Sequence, residues 1–155
     1  VEGQGDDAVV MVVGRAENAA MGETFVMASA EEDARARLSL YLKATVEAFR
    51  ERLARAVATR AAASGEDTEG GFASTEDLRQ GDRSVADNVV GGMETVTSFT
   101  DEDSDRFYIL GRVDLAKLKA VLSQSAALSA EEKAMVEENS ATVREAWNEA
   151  IRAGT

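Results

Sequence analysis

At 155 residues, 45% hydrophobic and 30% charged, the chain is long enough for one domain with a sizeable core and too short for two. A net charge of −12 disfavours nucleic acid and anionic lipid as direct partners, because both need clustered Lys and Arg, and the 17 basic residues here are largely interleaved with carboxylates. With no Cys and no His, disulfides, zinc sites built from those residues, cysteine nucleophiles and Ser-His catalytic pairs are excluded.

Residues 1–7 are polar and glycine-containing and read as a disordered lead-in, with a single domain expected over 8–155. Ala8 to Val13, AVVMVV, is a short β-branched run bounded by Gly14, which predicts a buried strand. Both of its faces are apolar, so a central position in the sheet is expected. Arg15 to Gly22 then reads as a loop, and Glu23 to Met27 as either a second short strand or a loop.

The longest pattern follows. Ser29 with Glu32 matches a capping box, and the acidic run Glu31, Glu32 and Asp33 suits the positive end of a helix dipole. From there to about Ala63, the residues Ala34, Leu38, Leu42, Val46, Phe49, Leu53 and Val57 recur every three or four positions. This is one apolar stripe along a single long helix. Arg35, Arg37, Lys43, Glu47, Arg50, Glu51, Arg52 and Arg55 fall largely off the stripe. Burial of Leu38, Leu42, Phe49 and Leu53 is worth roughly 1.5–3 kcal/mol each, so the stripe reads as core rather than as a cofactor surface.

Ser64 to Gly71, SGEDTEGG, reads as a loop that ends the helix with Gly65 as cap. A further helix capped by Ser74 or Thr75 reaches Val90, with Leu78, Val85 and Val89 inward, Gly81 a candidate break, and Gly91-Gly92 as its stop. Met93 to Phe99 alternates, which places Met93, Thr95, Thr97 and Phe99 on one face and Glu94, Val96 and Ser98 on the other. Together with Arg106 to Val113, RFYILGRV, it predicts an antiparallel hairpin whose tip is Thr100 to Asp105. Asp114 is expected to cap a short helix carrying Leu115, Leu118, Val121 and Leu122. Ser129 with Glu132 repeats the capping box and opens a last helix to about Ala153, with Val136, Val143, Trp147 and Ile151 inward.

These elements predict an α+β fold in two layers. A small, mainly antiparallel sheet from Val9–Val13, Met93–Phe99 and Arg106–Val113 packs on the long helix, and additional C-terminal helices close the rest. The sheet and hairpin supply enough apolar surface to bury the stripe of the long helix within one chain.

Residues with chemical potential are few. Asp101, Asp103 and Asp105 have the one-three-five spacing of a calcium loop, but that loop needs Gly at its sixth position and Glu at its twelfth, where Arg106 and Arg112 stand. The hairpin at 100–105 therefore reads first as a solvated tip, with small-ligand or cation binding as the alternative. Glu31, Glu32 and Asp33, like Glu137 and Glu138, sit where carboxylates are expected for electrostatic reasons alone. Gly91-Gly92 lacks the Lys and Ser/Thr of a phosphate loop. Trp147 reads as a core or rim anchor for the last helix. No catalytic residue, metal or cofactor is assigned.

The order of features resembles a known group. A strand ending VVGRA, the helix EEDARARLSLYL, and the later segment SVADNVVGGMETVTSFTDEDSDRFYILGRVDLAKLKAVL are similar to the LPP20-type lipoproteins of bacterial envelopes. That group is related in architecture to the N-terminal domain of the flagellar assembly protein FlgT. The likeness covers about Val9 to Leu122 and rests on hydrophobic patterns, including N-V-V-x-G before a strand and Y-I-L-G-R-V-D running into a helix. It leaves the helix from Ala130 unmatched. The resemblance implies a non-enzymatic module facing the periplasm at the outer membrane, with an envelope protein as partner. Membrane attachment would come only through a lipidated cysteine upstream of Val1, in a segment trimmed from the chain.

Overall fold

The structure, a computed structural model, describes residues 8–17, 22–64, 75–125, 128–138 and 140–154. Its elements in chain order are β1 (Val9–Glu17), α1 (Glu23–Ser64), α2 (Thr75–Val90), β2 (Glu94–Asp101), β3 (Arg106–Asp114), α3 (Leu115–Ser123), α4 (Ala130–Glu138) and α5 (Ala141–Gly154). The fold is α+β: one long helix crosses a three-stranded antiparallel sheet of order β1-β3-β2. Among the described residues no helix is long and apolar enough to cross a membrane.

At 42 residues α1 is about 63 Å long, much longer than the sheet is wide. It lies against β1 and β3 and also packs on α2, α4 and α5. The expected stripe from Ala34 to Leu53 is buried, with Val57 half-buried against the core. Trp147 of α5 meets Phe49 edge to face, ring centroids 4.9 Å apart, and so anchors the core.

The helix begins earlier than its capping signal suggests. Glu23 to Met27 is neither strand nor loop; it is the first turn of α1, entered from Gly22 at φ +112. Val26 N–H donates to the Gly22 carbonyl at 3.1 Å, closing that turn. Val26 and Ala30 continue the four-residue stripe toward the N-terminus and are buried, so packing overrides the local capping signal. Ser29 is thus inside the helix, and the acidic run lies well past its positive end.

The strand before it also differs. It continues through Gly14 to Glu17, and it is an edge strand, because β3 pairs with it on one side and with β2 on the other. Gly14 does not end the strand; it lets the helix approach. A Cβ there would sit 2.1 Å from the Ala30 carbonyl oxygen and 2.6 Å from Ala34 Cβ. Residues 18–21 lie outside the described residues.

α1 includes Ser64, the first residue of the expected loop, and the remainder of that loop, Gly65 to Gly71, lies outside the described residues, as does the expected cap Ser74. So does the side chain of Leu78. α2 passes through Gly81 without a break and stops at Gly91-Gly92, where Gly91 N–H donates to the Asp87 carbonyl and Gly92 N–H to that of Val89. Asp114 precedes α3 but makes no side-chain cap; its carboxylate accepts from Arg112 Nη2 at 3.3 Å instead. The Ser129–Glu132 capping box is present in both directions, at 3.0 and 3.2 Å. The expected single last helix is two. Ser140 starts the second, its Oγ accepting from Val143 N–H at 3.3 Å. Val136, Val143, Trp147 and Ile151 are all buried as expected.

Candidate functional site

The sheet has one covered face and one open face, and the register says which residues belong to each. Val10, Gly14 and Ala16 of β1 pair with Val113, Ile109 and Phe107 of β3, and all six are buried beneath α1. The alternate residues therefore point away from the helix. They bring together Met11 and Val13 from β1, Tyr108 and Leu110 from β3, and Phe99 from β2, which pairs with Tyr108. Phe99 and Tyr108 stack with ring centroids 4.9 Å apart. Val13 is 51% exposed and Phe99 61%.

β2 stands apart even from this layer. It packs extensively on β3 but, among the described residues, extensively on no helix, and Glu94 to Thr100 are exposed. Its expected strict alternation is broken by a bulge. Thr95 pairs with Gly111 and Thr97 with Leu110, so Val96 is an extra residue and the two threonines lie on opposite faces. Thr95 turns toward the helix, where its hydroxyl donates to Glu31 Oε1 at 3.4 Å. Val96 is left 52% exposed. The sequence carried no direct sign of the bulge.

The two sheet edges are treated differently. On β1, Arg15 N–H donates to Asp33 Oδ2 at 2.8 Å, an oxygen that also accepts from Arg37 Nε at 3.0 Å. Asp33, the last residue of the acidic run, thus covers one strand edge rather than capping a helix. On β2, no strand among the described residues pairs with the outer edge.

The hairpin tip holds Asp101, Asp103 and Asp105 close in sequence without making them converge. Asp101 Oδ1 accepts from Asp103 N–H at 3.1 Å and its Oδ2 from the Ser104 hydroxyl at 2.8 Å. The Ser104 hydroxyl, opposed by desolvation, holds the Asp101 carboxyl below its ordinary value, helped by the backbone N–H groups of the turn and by Arg106. Asp105 takes φ 54 to close the turn. Among the described residues no group of three or more carboxylates is placed to hold a metal ion.

One polar feature escaped sequence reading altogether. Arg50, expected off the stripe, is half-buried and donates through Nε and Nη2 to both oxygens of Asp82, at 3.2 and 2.8 Å. Burial works against its charge, but Asp82, with Glu47 and Glu132 nearby, holds its pKa above the ordinary arginine value. Asp82 is 6% exposed. The pair joins α1 to α2 and is structural. Glu138 reaches Arg60 at 3.2 Å, and Glu149 reaches Arg52 at 3.0 Å.

No family model, no characterised protein and no solved structure significantly matches this chain.

Proposed function

We propose that the chain is a non-enzymatic protein-interaction module of a bacterial cell-envelope assembly. The observation that carries the interaction is the open sheet face, where Val13 and Phe99 are more than half exposed beside Leu110 and Tyr108. Contiguous exposed apolar surface on a sheet of this kind marks a binding site. Three of the five carboxylates singled out for acid–base chemistry have structural contacts: Asp33 on a strand edge, Glu31 with Thr95 and Glu138 with Arg60. The envelope location, with attachment to the outer membrane through an upstream lipid, is supported by the sequence resemblance over Val9 to Leu122. An envelope protein is the partner this reading requires.

The test places a photo-activated cross-linking residue at position 13, 99 or 51 of the full-length gene product in its native cells, followed by fractionation. The expected result is a product in the envelope fraction that forms one discrete adduct from 13 and 99 and none from Glu51. A product found only in the cytosol would sink the envelope assignment. Adducts formed equally from all three positions would sink the open face as the binding surface.

A further inference from the structure

We infer that the free edge of β2 receives an extended segment of a partner protein as a fourth strand, apolar or β-branched at its centre and basic at both ends. This rests on the reading of the chain as an interaction module and names where and how the partner is held.

An edge strand presents a row of backbone N–H and C=O groups ready to pair, and proteins that do not use such an edge protect it with charges, proline, bulges or a covering element. The edge of β1 is protected, since Asp33 takes the outward N–H of Arg15 at 2.8 Å. The edge of β2 is protected only at its start, by the bulge at Val96. Between Thr97 and Thr100 it carries no Lys, Arg, Asp, Glu or Pro, and its Thr and Phe are residues that favour strands. No helix packs extensively on it among the described residues, so an added strand meets an open edge and has Val96 and Phe99 beside it for its own side chains.

Charge decides which occupant. Glu94 and Asp101 close the two ends of β2, Glu31 lies at the first end through Thr95, and Glu102, Asp103 and Asp105 follow the second. Arg112 and Arg106 of β3 stand opposite Glu94 and Asp101, but each also has a second carboxylate near it, Asp114 at 3.3 Å and Glu17 at 3.9 Å, so carboxylates outnumber arginines at both ends. A second copy of the chain is disfavoured. Antiparallel pairing of two β2 edges centred between Thr97 and Ser98 sets Glu94 opposite Asp101 at both ends, and centring on Ser98 sets Glu94 opposite Glu102. Like charges directly opposite destabilise a strand pair, and each copy brings a further net −12. A segment with Lys or Arg at two positions about 20 Å apart meets both acidic ends instead.

The experiment pans a displayed library of random ten-residue peptides against the whole chain, then measures the enriched peptides in solution. The expected consensus has β-branched or aromatic residues flanked by Lys or Arg. Affinity should fall at least tenfold on Glu94→Lys and on Phe99→Lys, and stay within threefold on Glu51→Lys, an exposed position of α1 away from this edge. Bound peptide should slow amide hydrogen exchange within residues 95–100 at least tenfold. Circular dichroism melting confirms that each variant remains folded. Peptides that are lost on Val13→Lys, retained on Glu94→Lys and without effect on β2 exchange would overturn strand addition while leaving the open face as a binding site. A dimer in sedimentation that Phe99→Lys disperses would overturn it in favour of a second copy. Failure to enrich any peptide would also overturn it, and the cross-linking in cells decides the interaction reading separately.

Discussion

The guanidinium of Arg50 on α1 grips both carboxylate oxygens of Asp82 on α2, at 3.2 and 2.8 Å, with little of either side chain exposed. Removing one partner leaves the other desolvated without compensation. Asp82→Asn should destabilise the protein by about 2 kcal/mol, less than a fully buried pair would cost because Arg50 keeps some access to water. The double variant Arg50→Met/Asp82→Leu should cost less than the sum of its single changes. Urea unfolding of the four proteins measures this, and strict additivity would show that the pair is not coupled.

Gly14 is where β1 touches α1. Gly14→Ala puts a methyl 2.1 Å from the Ala30 carbonyl oxygen, backbone that cannot turn aside. The expected loss is about 2–3 kcal/mol. At Gly111 the nearest atom is Met93 Sδ at 2.6 Å, the end of a flexible side chain, so Gly111→Ala should cost clearly less. Equal losses in denaturant unfolding would contradict this account of the helix–sheet contact.

Two serines separate local signal from tertiary outcome. Ser140 caps α5 through Val143 N–H at 3.3 Å, and Ser140→Ala should cost about 1 kcal/mol. Ser29 lies inside α1, so Ser29→Ala should be neutral or gain up to about 0.5 kcal/mol from helix propensity. Thermal melting of both variants decides it. A loss at Ser29 as large as at Ser140 would restore Ser29 as a cap.

The Asp101 carboxyl gives the hairpin tip a pH dependence. Its folded pKa lies below its unfolded one, so the stabilisation it supplies is complete above about pH 4 and is lost as pH falls through the depressed folded value. Wild type and Asp101→Asn should therefore differ in stability at pH 7, and the difference should shrink as the pH is lowered below about 4. A gap that does not change with pH would mean that the carboxylate charge is not its source. Because both oxygens of Asp101 are taken by Asp103 and Ser104, millimolar calcium should leave the melting temperature unchanged.

Local sequence determined the parts of this fold whose cause is itself local. The stripe from Ala34 to Leu53 repeats at the helical period, and any partner that buries it must face that one side. The hairpin follows from two strand-like runs about a short polar turn, and Ser129 with Glu132 satisfies its own helix end without help from elsewhere. Together these were enough for an α+β architecture in two layers.

What only the tertiary structure decided depends on residues distant along the chain. β1 is apolar on both faces, yet it is an edge strand, because strand order depends on which neighbour β3 takes and not on the hydrophobicity of β1. Ser29 looks like a cap, but burial of Val26 and Ala30 carries the helix back past it. Arg50 and Asp82, 32 positions apart, show nothing in sequence that would pair them. The candidate site is of this second kind. The bulge at Val96 lies in the pairing of β2 with β3, while the contact of Glu31 with Thr95 and the use of Asp33 to guard the opposite edge come from how α1 sits on the sheet. That placement is set by the absence of a side chain at Gly14, which lets helix and strand approach more closely there than any other residue would allow.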